Sequence, residues 1–307
     1  DGFINAAELN GEVGVKVSFD GTKVLVGEVV SVTSGGVTKL VTISAADKAA
    51  GFVTTSFPAP AEGTEMLVKA VVLDAAGNPT PEGSDKATLD TTPTHGGLAP
   101  TVDITEDANN DGFISAAELN GDIGVKVSFD GTKVVVGEVV SVTSGGVTKL
   151  VTITDADKAA GFVTATFTAP PEGTEMVVKA VVLDRAGNAT PEASDKATLD
   201  TTPSNGGLAP TVEITEDANN DGYINQAEAI GLADVKVSFD GSKVAIGDKI
   251  VIISGSETQT ITIDAAAKAN GYVTAAFTPV AEGQTMTVTA SIVDPAGNAT
   301  PTGSDSA

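Results

Sequence analysis

The sequence predicts an all-β chain of three tandem two-sheet sandwiches, and three observations predict it. Asp1, Asp111 and Asp221 stand 110 residues apart, and the intervening text recurs with them. Within a repeat, short Val- and Thr-rich runs alternate in polarity as half-buried strands do. Between the runs lie Gly, Asp and Pro turns at the spacing of an antiparallel sandwich. A unit of this size can bury its own core, so each repeat is expected to fold by itself and not as a solenoid unit.

Repeat two shows the elements in order. Seven runs read as strands: residues 101–105, 124–129, 138–143, 147–153, 162–167, 176–183 and 196–199. Ser144-Gly145-Gly146 forms a tight hairpin, and Asp130-Gly131 and Asp184-Arg-Ala-Gly-Asn188 form further turns. Seven such strands give an immunoglobulin-like sandwich. Helix is confined to Ser115–Leu119 and to a single turn at Asp155–Ala160. The domains are expected at 1–93, 100–203 and 210–307, in an extended array. Linkers at 94–99 and 204–209 combine a Gly-Gly pair with neighbouring prolines, which permits bending while limiting reach.

Composition narrows the partners. Lys and Arg number 17 against 41 Asp and Glu, a net charge of −24, which argues against nucleic acid or an anionic membrane and makes divalent cations the natural counter-charge. With no cysteine, neither a disulfide nor a thiolate metal site can form. The longest apolar stretch, Val134–Val140, is interrupted and too short to span a bilayer. Targeting signals are expected outside the sequence, which opens at the fifth position of the loop described next.

Asp107-Ala-Asn109-Asn-Asp111-Gly-Phe113-Ile-Ser-Ala-Ala-Glu118 places oxygen side chains at positions 1, 3, 5 and 12, glycine at 6 and an aliphatic at 8. This is the EF-hand calcium pattern, with the Phe113 carbonyl at position 7. It recurs with Asp217, Asn219, Asp221, Tyr223 and Glu228, and its second half opens the chain as Asp1 to Glu8. The surroundings read as β, so the two helices of an EF-hand are not expected. The loop is read instead as an insertion between the first two strands. A calcium sensor is disfavoured because no helix pair is available to open.

If strands alternate in direction, the linker, the Asp130 turn and the Asp184 hairpin meet at one pole. Asp90, Asp130, Asp184 and Asn188 are then expected to converge on one cation, as are Asp200, Asp240, Asp294 and Asn298 at the next junction, because clustered carboxylates repel without one. Asp20 and Asp74 are the corresponding residues of repeat one. Each Asp also suits an ordinary turn. Repeat three diverges widely, yet Asp217, Asn219, Asp221, Glu228, Asp240, Asp294 and Asn298 persist.

No enzyme is expected. The one histidine, His95, is replaced by Asn205 in the next linker and reads as a solvated loop residue. No phosphate loop is present, and paired carboxylates lack an aromatic sugar platform, since aromatics make up 4% of the chain and tryptophan is missing. The sequon-like Asn188-Ala-Thr190 and Asn298-Ala-Thr300 are read as hairpin residues.

The run ending at Asn78, then Ser84 through Asp90-Thr-Thr-Pro93, then Ile104 through Glu118 resembles the tandem Ig-like extender repeats of giant calcium-dependent RTX adhesins, such as bacterial biofilm and ice-binding adhesins. The resemblance spans all three repeats, although repeat one lacks the first four loop positions. It implies a monomeric stalk at the bacterial cell surface, exported by type I secretion and straightened by extracellular calcium, whose partners are its neighbouring repeats. The rival expectation is that the repeats are adhesive modules for a receptor, a glycan or one another.

Overall fold

The computed structural model describes residues 1–228 and 231–307. They are all-β apart from three six-residue helices and two short 3₁₀ turns. Two compact units emerge, one made of residues 1–102, 126–165 and 179–194, the other of 103–125, 166–178 and 195–307. The middle repeat contributes to both. Among the described residues no helix is long and apolar enough to cross a membrane.

In the first unit, one sheet runs in the order Phe3–Ile4, Gly83–Leu89, Glu65–Leu73, Val29–Ser34, Val37–Thr42. A second, two-stranded sheet pairs Val13–Ser18 with Phe52–Phe57. Alternation dictates this layering: Val30 and Val32 are fully buried while Ser31 and Thr33 face outward. The apolar set Val24, Val30, Val32, Ile43, Val53, Phe57 and Met66 forms the core between the layers. The hairpin Ser34-Gly35-Gly36-Val37 needs two consecutive left-handed residues, φ 56° and 77°, which Gly-Gly adopts without a Cβ clash. The same hairpin joins Val139–Ser144 to Val147–Thr152 in the middle repeat.

In the second unit, Thr211–Ile214, Ala233–Ser238 and Tyr272–Phe277 make a three-stranded sheet. It faces the four-stranded sheet Glu257–Thr262, Lys249–Ser254, Thr287–Val293, Gly303–Ser306. Ile250, Ile252, Val288, Val235 and Phe277 pack between the two. The strand runs read from the middle repeat are found at Thr101–Ile104, Ile123–Ser128, Val139–Ser144, Val147–Thr152, Phe162–Phe167, Glu175–Leu183 and Ala193–Leu199.

Two local findings go beyond the sequence reading. Phe113–Ile114, within the calcium-type loop, is a short strand parallel to Thr198–Leu199, as Phe3–Ile4 is to Thr88–Leu89. The expected helical turn at Ser115 is only a turn, whereas Asp155–Ala160 is a helix. Thr154 and Asp157 close a capping box at its start, and left-handed Gly161 ends it.

Candidate metal centres

Asp107 follows the strand Thr101–Ile104, and its N–H donates to the Ile104 carbonyl at 3.1 Å. Left-handed Asn110, φ 56°, turns the chain back, as Asn220 does in the third repeat, a conformation that asparagine tolerates. Asp107, only 5% exposed, accepts the N–H groups of Asp111 and Gly112, each at 3.0 Å. Asn109 accepts from the Asp111 N–H at 2.9 Å and donates its amide to the Asp111 carboxylate at 2.9 Å. Glu118 accepts from the Ser115 N–H and hydroxyl at 3.0 and 2.8 Å. The loop of repeat three repeats this web through Asp217, Asn219, Asp221 and Glu228. Tyr223, at 76% exposure, holds its backbone in place through the Asp221 carboxylate.

These bonds hold the Asp107, Asp111 and Glu118 carboxylates against donors of their own loop. Burial pushes the Asp107 carboxyl above its ordinary range against the pull of the Gly112 and Asp111 N–H groups, and the charges of Asp111 and Glu118 push it further up. A divalent cation relieves that repulsion, so the donor set fits calcium. Among the described residues no group of three or more Asp, Glu, His or Cys side chains is gathered so as to hold a metal ion.

At the linkers the structure brings together part of the expected set. Asn188 donates its amide to the Asp90 carbonyl at 2.7 Å and to the Asp184 carboxylate at 2.9 Å. Burial first, then the neighbouring Asp184 charge, raises the Asp90 carboxyl. Asn298 does the same for Asp200 and Asp294, at 2.7 and 3.1 Å. There burial, then Asp294 and Glu172, raise Asp200; burial, opposed by the Asn298 bonds, and then Asp248 raise Asp294.

Asp130 and Asp240 do not join these groups. Asp130 is 40% exposed and turned onto its own loop, where it accepts the Thr132 N–H and hydroxyl and stands 3.5 Å from Lys133. The Thr132 hydroxyl and N–H hold its carboxyl low, and Asp240 is held likewise by Ser242 and Lys243. An Asp-Gly-Thr/Ser turn satisfies its own carboxylate locally, which strand counting could not see. Asp20, beside Thr22 and Lys23, and Asp74, closed onto Ala76 and Asn78, are also turn residues in repeat one.

His95 is a second correction, because it is buried at 7% exposure instead of solvated. Its Nε2 accepts the Asp130 N–H at 2.7 Å and its Nδ1 donates to the Leu98 carbonyl at 2.9 Å. Asn205 makes the equivalent bonds to the Asp240 N–H and the Leu208 carbonyl, both at 2.9 Å. Both residues sit at φ 58°, where His and Asn are among the tolerated non-glycine residues.

Three further groups escaped the sequence reading. Glu62 and Glu172 clamp the linkers by accepting from Thr91 and Thr92, and from Thr201 and Thr202. Asp248 is fully buried, and its Oδ1 has no hydrogen-bond partner among the described residues. The ladder that ends at Lys249↔Val293 puts Asp248 and Asp294 at the same end of their strands. The third group joins loop to linker: the Ala116 N–H donates to the Asn298 Oδ1 at 2.9 Å, as the Ala6 N–H does to Asn188 at 3.0 Å. The recurrence of Glu62 as Glu172 was the available signal, but a lone Glu among so many carries little information.

Comparison with known proteins matches residues 107–121 to the EF hand family. No curated protein sequence matches the chain. Among solved structures, the chain is similar to a Ca2+-stabilized adhesin that helps an Antarctic bacterium reach out and bind ice, at 26% identity and TM-score 0.39, covering 99% of this chain and 70% of that one. It is similar also to a 1.5-MDa bacterial ice-binding adhesin, at 24% identity and TM-score 0.36, covering 99% and 92%. A tetra-tandem repeat in the extending region of a large adhesion protein aligns at 19% identity and TM-score 0.30, covering 99% and 73%. With its pattern, its turn geometry and its family match in agreement, the loop beginning at Asp107 is an EF-hand-type calcium loop set in an all-β repeat.

Proposed function

We propose that the chain is a calcium-stiffened extender segment of a bacterial cell-surface adhesin, holding a ligand-binding region away from the cell. The observation that carries this reading is the position of Asn298, whose side chain bonds the calcium-type loop at Ala116, the linker at Asp200 and the hairpin at Asp294. Calcium in the loop thereby acts on the same backbone that the linker carboxylates hold. Asp107, Asn109, Asp111, Glu118 and the Phe113 carbonyl are the loop ligands in this reading, with Asp217, Asn219, Asp221, Glu228 and the Tyr223 carbonyl in repeat three. Asp90 with Asp184, and Asp200 with Asp294, supply the junction carboxylates. Asn188 and Asn298 position them, and Glu62 and Glu172 anchor the linkers. A cation bound there would offset the burial and, after it, the neighbouring carboxylate charges that raise Asp90 and Asp200. It stabilises only the folded linker, because the unfolded chain cannot gather these groups.

Small-angle scattering of the full chain in calcium and in chelator tests this. The maximum dimension is expected to fall and the melting temperature to drop when calcium is removed. An unchanged maximum dimension in chelator would remove the junction from the mechanism. Self-association or glycan binding by the repeats would favour the adhesive-module reading instead.

A further inference from the structure

Repeat three changes a buried charge. Where repeats one and two have Glu28 and Glu138, it has Asp248, just before the strand Lys249–Ser254. The Glu138 carboxylate, in a residue 4% exposed, is held on two sides: its Oε2 accepts the Val135 N–H at 2.9 Å and the hydroxyl of the linker residue Thr94 at 2.8 Å. Asp248 keeps the first of these bonds, since its Oδ2 accepts the Ala245 N–H at 2.8 Å. Its side chain is one methylene shorter, and Ser204 stands where repeat two has Thr94. Its Oδ1 is left with no hydrogen-bond partner among the described residues, in a side chain at 0% exposure. A buried carboxylate oxygen is destabilising until a donor or a cation meets it.

The group beside it is another carboxylate. The ladder that pairs Lys249 with Val293 sets Asp248 and Asp294 at one end of their strands, and Asp294 is itself 7% exposed. Burial and, behind it, the Asp248 charge lift the Asp294 carboxyl, while Asp294 is, after burial, the first of the charges that lift Asp200. A succession of acids therefore runs from strand to hairpin to linker within the second compact unit. A neutral donor would satisfy the Asp248 oxygen and leave the charges in place; a divalent cation meets both needs. The acids are not gathered three around one point, so neutral oxygens must complete the coordination, a mixture that calcium accepts.

We propose that Asp248 is a ligand of the cation at this pole, held between its Oδ1 and the Asp294 carboxylate, so that repeat three binds calcium here with one more charge than repeat two. The proposal rests on the reading of Asp200 and Asp294 as junction carboxylates. Ligand charge sets calcium affinity, so the second junction fills before the first as calcium rises. In repeat two Glu138 takes no part, because its carboxylate is committed to Val135 and Thr94.

Calorimetric calcium titration of the full chain, with melting temperatures in calcium and in chelator, tests this on Asp248→Asn, Asp248→Glu and Glu138→Gln. Asp248→Asn is expected to weaken one calcium site by at least about tenfold, since losing a ligand costs no less than losing an outer-shell partner. The same variant should melt above the unmodified protein in chelator, where the amide removes a buried charge, and below it in saturating calcium. Asp248→Glu installs the residue of repeat two and is expected to weaken the same site while keeping the charge, its longer side chain reaching the Ser204 hydroxyl as Glu138 reaches Thr94. Glu138→Gln should leave every calcium site as it was. Unchanged calcium binding by Asp248→Asn, or equal weakening by Glu138→Gln, would overturn the proposal. Asp200→Asn separates it from the reading beneath it: a site lost there but kept in Asp248→Asn removes Asp248 and retains the junction, whereas a site lost in neither removes both.

Discussion

Substituting Asp200→Asn should reverse its effect on stability according to whether calcium is present. In chelator, Asp200 is a half-buried carboxylate beside Asp294 and Glu172, and burial first, then those charges, raise its pKa above 3.8. Replacing it by the neutral amide relieves that repulsion and keeps the main-chain carbonyl that Asn298 bonds. Discounted for partial exposure, the relief is about 1 kcal/mol, or roughly 5 °C in melting temperature for a domain of this size. In calcium at about 100 times its dissociation constant, binding supplies about 2.7 kcal/mol, and a hundredfold weaker site retains only about 0.4. The variant then loses about 2.3 kcal/mol of linkage and keeps its gain of about 1, so it melts below the unmodified protein. The pH dependence in chelator follows from the direction of the shift. Because the folded pKa of Asp200 is raised, the folded state holds more protons than the unfolded state just above pH 3.8. Its stabilising contribution is therefore complete below that value and is lost as pH rises through the folded pKa, so the advantage of the variant should vanish near pH 3.8 and below. Scanning calorimetry in both conditions reads the sign, and a shift of the same sign with and without calcium would refute a cation site at Asp200.

Three further substitutions probe the network around the linkers. Asn298→Ala strands the Asp200 carbonyl and the Ala116 N–H, which should cost about 1–3 kcal/mol and speed hydrogen exchange at Ala116; unchanged exchange there would separate the calcium loop from the hairpin. His95→Asn should be neutral to about 0.5 kcal/mol in chemical denaturation, since Asn205 already fills the same role, while His95→Leu should cost about 1–3 kcal/mol. Equal effects of the two would make the histidine bonds irrelevant. Gly131→Ala drives a Cβ to 2.0 Å from the Lys158 carbonyl and should cost about 1–3 kcal/mol in the same assay; a neutral result would mean the Asp130 turn yields readily.

The sequence by itself determined the repeats, the all-β class, the strand runs and the calcium loop. These are local or periodic properties: alternation of Val30 and Val32 with Ser31 and Thr33 is a consequence of the pleat, and the loop's oxygens are spaced along one turn. It also named Asp90, Asp184 and Asn188 from strand direction, and the structure brings those three together. Only the tertiary structure decided that Asp130 stays with Thr132 and Lys133, that buried His95 fastens the linker, and that Asp248, just before the strand Lys249–Ser254, lies at the same end of the ladder as Asp294. Those outcomes depend on which of two competing partners a side chain meets once the chain has packed. A carboxylate in an Asp-Gly-Thr turn finds a hydroxyl two residues away before any cluster can form. The joining of calcium loop to linker through Asn298 links positions 182 residues apart, a relation that exists only after folding.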